Sequence, residues 1–153
     1  MKFATRFVRP DALIFSIVSL FWLTGCGSNS TSTVTTPTTT TTATATTDTF
    51  TGSIDQNGTA IYPFTVTSAG YGLLAGYTSI SPASVTALGI GIGSWDATAS
   101  SCSLNLSQND TGRSGSTALS GTPSNGNYCV RIYDAGNIPA GVAASFTVQV
   151  QHY

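Results

Sequence analysis

Ala144-Ser145-Phe146-Thr147-Val148-Gln149-Val150-Gln151 alternates apolar and polar side chains without a break. Successive side chains of a strand point to opposite faces. This order therefore buries Ala144, Phe146, Val148 and Val150 and leaves Ser145, Thr147, Gln149 and Gln151 in water. A helix would spread the same residues around its circumference. Upstream, the period of two recurs in short pieces. Residues 128–134 turn Val130 and Ile132 inward, residues 101–106 place Leu104 and Leu106 in phase, and residues 115–119 make a weaker strand. In residues 85–93, Leu88, Ile90 and Ile92 share one face while Gly89, Gly91 and Gly93 share the other. A glycine face leaves room for a neighbouring sheet, loop or aromatic ring to pack closely.

Residues 71–78, the Tyr62, Phe64 and Val66 alternation, and residues 50–54 complete the series. Pro63 lacks an amide proton and predicts an edge strand or a bulge. Asp55-Gln56-Asn57-Gly58 predicts a tight turn, because Asn-Gly accepts the positive φ of hairpin turns. After Cys26 no segment sustains a 3.6-residue period. About eight short strands predict an all-β fold over residues 48–153: a single antiparallel β-sandwich or jelly roll.

The segments before it read differently. Residues 26–47 form a Ser/Thr-rich tract with an unbroken threonine run at 38–42. It has almost nothing to bury, so it is expected to remain a disordered linker. As a flexible coil it would span on the order of 25 Å. Residues 12–23 are an apolar run behind Lys2, Arg6 and Arg9. That run is short for a membrane-crossing helix, which needs roughly 20 apolar residues, and suits a signal-peptide core. It ends in Leu23-Thr24-Gly25-Cys26, a bulky aliphatic, two small residues and a cysteine. The stretch resembles the lipobox of bacterial lipoproteins. The resemblance implies cleavage after residue 25, a lipid on the Cys26 thiol and attachment to the cell envelope. Gly27 stands where inner-membrane retention usually needs Asp, which implies the outer membrane.

Beyond the leader only Arg113 and Arg131 are basic, against Asp48, Asp55, Asp96, Asp110 and Asp134, a net charge of about −3. Nucleic acid, which is gripped by clustered Lys and Arg, is excluded as an expected partner. The same scarcity argues against peripheral binding to anionic lipid heads, so membrane contact is expected through the anchor. Cys102 and Cys129 form an even pair in an exported chain and predict a disulfide. Separate thiols or a metal pair are the alternatives, though zinc wants four ligands and His152 is the only histidine. The phases conflict: Cys102 aligns with Leu104 and Leu106, whereas Cys129 is out of phase with Val130 and Ile132. A loop end or bulge at Cys102 would reconcile them.

Three segments carry a second resemblance: Gly91-Ile92-Gly93-Ser94-Trp95-Asp96, Asn127-Tyr128-Cys129-Val130-Arg131-Ile132-Tyr133-Asp134 with Ala135-Gly136-Asn137, and the closing Val148-Gln149-Val150-Gln151-His152. Together with Phe50-Thr51-Gly52 and Tyr62-Pro63-Phe64-Thr65-Val66, they resemble bacterial pre-peptidase C-terminal β-sandwich domains. Such domains are non-catalytic companions of exported peptidases and other enzymes. The resemblance implies binding, or help with secretion or folding, acting here in trans because no catalytic domain is attached.

For chemistry, His152 reads as a solvated tail residue, and no G-x-S-x-G elbow occurs. A small hydrolase would need two converging carboxylates, for which Asp96 and Asp134 are the candidates. Calcium would find hard oxygens at Asp55 with Asn57, Asn109 with Asp110, and Asp134 with Asn137, though none forms a recognised calcium loop. No other metal or cofactor is expected. Trp95, Tyr71, Tyr77 and Tyr133 are candidate exposed aromatics, and flat rings with polar tips suit sugar faces and protein hot spots. Trp95, Asp96, Tyr133 and Asp134 are the expected ligand-binding residues. The leading expectation is a non-catalytic envelope lipoprotein with a binding or structural role toward an envelope protein or carbohydrate. A trans-acting accessory to a secreted peptidase or glycan-active enzyme is the alternative.

Overall fold

The computed structural model describes residues 42–153. The leader, the lipobox at Leu23 to Cys26 and most of the Thr-rich tract lie outside the described residues. Within them the chain is all-β, with eight strands: β1 (Thr46–Ile54), β2 (Thr59–Val66), β3 (Leu73–Ser81), β4 (Leu88–Asp96), β5 (Ser101–Gly112), β6 (Ser116–Gly121), β7 (Gly126–Tyr133) and β8 (Ala144–His152). They form two four-stranded antiparallel sheets, β1-β8-β3-β6 and β2-β7-β4-β5. Strand one thus pairs with eight, two with seven, three with six and four with five. One long hairpin wrapped into a two-layer sandwich gives this order, which is the jelly roll.

The eighth strand keeps the predicted phase, with Ala144, Phe146, Val148 and Val150 buried. They meet Phe64 and Val66 from β2, Leu73 and Tyr77 from β3, Leu88, Ile90 and Ile92 from β4, and Val130 and Ile132 from β7. Each fully buried Val or Ile side chain contributes about 1.5–3 kcal/mol. Pro63 lies on β2, an edge strand, as expected. The Asp55–Gly58 turn forms, with Gly58 N–H donating to the Asp55 carbonyl at 2.8 Å and Asn57 at φ 59°. It carries the chain from one sheet to the other instead of closing a hairpin, since β1 and β2 have different partners.

Three expectations are corrected. Tyr77 is not an exposed aromatic: it is 1% exposed. Its hydroxyl crosses the sandwich and donates to the Gly89 carbonyl at 2.9 Å, and burial pushes its pKa far above the ordinary tyrosine value. His152 is not a solvated tail residue either. It continues the inward phase of β8, is 5% exposed, packs against Phe64 with ring centroids 5.2 Å apart, and sets Nε2 3.0 Å from Asp48 Oδ2. Finally, Leu104 and Leu106 do not share a surface. Leu104 lies over Gly91, whereas Leu106 packs toward Gly121 of the other sheet.

The last correction explains the cysteines. Between Ile92 and Ser94 the β4–β5 register shifts, so that Ile92 faces Ser107 but Ser94 faces Ser103. The extra β5 residues fold over the outside of β4. There Gly93 has no side chain to oppose them, and a Cβ at that position would come within 1.8 Å of the Ser103 carbonyl oxygen. Cys129 pairs beside Gly93 from the opposite strand, and Cys102 reaches it across β4 in a disulfide with Cα atoms 5.9 Å apart. The glycine face of β4 is covered along its whole length: Tyr133 over Gly89, Leu104 over Gly91 and the β5 bulge over Gly93.

Candidate functional site

The four residues expected to bind ligand fall into two groups at opposite ends of one sheet. Gly89 pairs with Tyr133 and Ser94 with Tyr128, so Trp95 and Asp96 leave β4 at the end away from Tyr133 and Asp134. Six strand steps, from Gly89 to Trp95, separate the groups, about 20 Å at the usual rise. Asp96 and Asp134 therefore do not converge as a catalytic pair. Asp96 Oδ1 accepts the N–H groups of Thr98 and Ala99 at 2.8 and 3.0 Å, and so shapes the β4–β5 turn. Half-buried Trp95 borders a depression of about 300 Å3 together with Pro63, Thr65 and Asn127.

At the other end Tyr133 lies flat over Gly89, its hydroxyl donating to Asp110 Oδ1 and the Arg131 guanidinium 5.7 Å from its ring centroid. Burial, then the bond to Asp110, pushes the phenol up to about 12. Asp134 follows it. Its Oδ1 accepts from Gly136, Asn137 and Ile138 N–H at 2.8, 2.8 and 3.1 Å, and its Oδ2 from Asn57 N–H at 2.9 Å. Partial burial pushes this carboxyl up, but the four amide donors outweigh it and hold the carboxyl below the ordinary aspartate value.

The calcium candidates Asp55, Asn57, Asp134 and Asn137 do come to one place, because the Asp55–Gly58 turn docks on the loop after β7. Asp134 N–H also donates to the Gly58 carbonyl at 3.1 Å. Both Asp134 oxygens are directed at backbone amides, and among the described residues no three His, Cys, Asp or Glu side chains group as metal ligands. The junction is held by an anion enclosed in N–H donors.

Sequence reasoning missed a third region, on the outer face of β1-β8-β3-β6. Its side chains form two rows across the strands. Thr47, Gln151, Leu74 and Ser120 make one row, and Thr49, Gln149, Gly76 and Thr117 the other. Gly76 has no side chain because a Cβ there would lie 2.3 Å from the Ser116 carbonyl oxygen. Beside this close approach the face holds a groove of about 510 Å3 whose lining carries no charged side chain. Tyr153, two residues past Gln151, stacks on Tyr71, three before Leu74, with centroids 4.8 Å apart and planes 24° off parallel. Tyr71 and Leu74 are two of the exposed large apolar residues, at 37% and 43%. The polar phase of β8 is the signal that marks this face in the sequence.

No known protein-family profile matches the chain, and no curated protein is significantly similar to it.

Proposed function

We propose that the chain is an exported lipoprotein whose jelly roll serves, without catalysis, as a binding module at the cell envelope. One observation carries the non-catalytic part. Four of the five aspartates in the described residues are bound into structural contacts: Asp48 to His152, Asp96 to its turn, Asp110 to Tyr133, and Asp134 to four amides. A general acid or base needs a free lone pair or proton facing substrate, and these oxygens face their own fold. The open, uncharged groove on the other sheet supports the binding part, since a shallow polar surface suits association better than enclosed chemistry. The lipobox residues Leu23, Thr24, Gly25 and Cys26 support the anchor. The resemblance to pre-peptidase C-terminal domains agrees with a non-catalytic sandwich.

Mass spectrometry of the protein recovered from a bacterial outer membrane tests the reading. A mature amino terminus at Cys26 carrying a diacylglycerol mass, and a Cys26→Ala variant that leaves the membrane fraction, are the expected results. An unmodified terminus upstream of Cys26 would overturn the anchor. Turnover of a peptide or glycan substrate that disappears in Asp96→Asn or Asp134→Asn would overturn the non-catalytic assignment.

A further inference from the structure

We propose that the groove across β1-β8-β3-β6 binds a neutral polysaccharide chain, with Gln149 and Gln151 reading its hydroxyl groups and the Tyr71–Tyr153 stack seating one sugar ring. The proposal rests on the binding-module reading and names the site and ligand class within it. It places the site on the sheet opposite Trp95 and Tyr133.

Charge supplies the first argument. No Asp, Arg, Lys or Glu lines the groove, so nothing there compensates the charge of a phosphate, a uronic acid or an ionic peptide. Its lining instead offers hydroxyls from Thr47 and Thr117 and amides from Gln149 and Gln151, while the Thr78 and Ser116 hydroxyls donate to the Thr147 and Arg113 carbonyls and can still accept. An amide presents a donor and an acceptor side by side, and so can pair with two neighbouring hydroxyls of one ligand. Gln149 and Gln151 are spaced by two on one strand and both point outward, giving two such readers in a row.

The aromatic pair supplies the second. A pyranose ring has an apolar face of C–H groups, which packs on a flat ring. Tyr71 is an exposed ring beside the groove, outside its lining, and is held by stacking on Tyr153, two residues beyond Gln151. The strand end is itself fixed, since Thr67 and Ser68 N–H both donate to the Tyr153 carbonyl at 2.9 and 3.0 Å. Ring, leucine and amides therefore stand on a braced backbone, which limits the ordering cost of binding.

The third argument is shape. The groove reaches residues of all four strands, about 14 Å across at ordinary strand spacing, and is open to solvent along that span. An extended polymer segment fits such a trough better than a single small molecule, which pockets enclose.

Detergent-solubilised full-length lipoprotein would be run through native gels containing soluble neutral β-glucan, α-glucan or galactomannan, with alginate and DNA as charged comparisons. Retardation by at least one neutral polymer, unchanged in 0.5 M NaCl, is expected. Gln149→Ala/Gln151→Ala and Tyr71→Ala should each weaken it about tenfold or more, while Ser107→Ala, on the other sheet, leaves it intact. Matching melting temperatures would exclude misfolding, and Thr117→Trp, which fills the groove, gives an independent loss. Retardation only by alginate, abolished by salt, would overturn the proposal, as would neutral-glycan binding indifferent to the groove variants. Cross-linking to envelope proteins without any glycan binding would overturn the glycan site and leave the binding-module reading standing. Neither kind of binding would overturn both.

Discussion

Asp134 shows how much one carboxylate can organise. Four amides from two loops converge on it, and replacing it by Ala strands them together. Because the site is partly wet, the expected loss is about 1–2 kcal/mol, below the sum of four charge-assisted bonds in a dry interior. Its folded pKa is lowered, so the stabilisation is complete above the unfolded value near about 4 and disappears as pH falls through the folded value. Urea titrations from pH 7 down to 2 should show Asp134→Asn losing less stability than wild type across that acid window. Glycines supply a second contrast. Gly93→Ala drives a methyl into the Ser103 backbone and is expected to cost about 2–3 kcal/mol, whereas Gly91→Ala meets only the movable end of Leu104 and should cost about 1 kcal/mol or less. Thermal melts of the two variants decide it. His152 shows what was legible and passed over: one more step along the parity of Ala144 to Val150 puts it in the core. Its partner Asp48 shares the phase of Phe50 and Ile54 in the same way. Tyr77 was legible in the same way, since it keeps the inward parity of Leu73 and Ala75; only its hydrogen bond across the sandwich leaves no mark in local sequence.

At the level of elements, alternation located all eight strands and misjudged their ends. β1 starts at Thr46, inside the tract expected to be linker, because β-branched threonines join a sheet once β8 offers Gln151 and His152 as partners. β5 runs on to Gly112, six residues past its expected end, and its bulge separates Leu104 from Leu106. A strand's own sequence cannot announce a bulge whose cause is a missing side chain on its neighbour. The eighth strand is central in its sheet and turns Ala144, Phe146, Val148, Val150 and His152 into the core. Phe146 meets Tyr62 and Tyr77 edge-on, at centroid distances of 6.3 and 6.4 Å. Phe146→Ala is expected to cost about 3–5 kcal/mol, enough to unfold a marginal domain at 37 °C. Gln149→Ala, on the opposite face of the same strand, should stay within about 0.5 kcal/mol. Chemical denaturation of both variants measures the difference.

For the whole molecule, composition and punctuation were enough to give a single all-β sandwich, but not its wiring. Which strand neighbours which depends on contacts far apart in the chain, and those decide where side chains meet. This is why Trp95–Asp96 and Tyr133–Asp134, attractive as one cluster on paper, end about 20 Å apart, while an unforeseen groove gathers residues from four strands. The disulfide acts at this scale too. It closes a 27-residue loop, and on the chain-entropy account contributes about 3–4 kcal/mol. Reduction, or Cys102→Ala/Cys129→Ala, should lower the urea midpoint by that equivalent without changing the far-ultraviolet dichroism of the folded state. The wrapped hairpin has a further consequence for the order of folding. Thr46 finds its neighbour only at His152, whereas the turn between β4 and β5 can close at once. Local contact order thus favours zipping from mid-chain outward, and the amino-terminal strand is among the last to be captured. Until then its unsatisfied amides stand open to pairing with a neighbouring chain, so completion of the sheet waits on the arrival of the eighth strand.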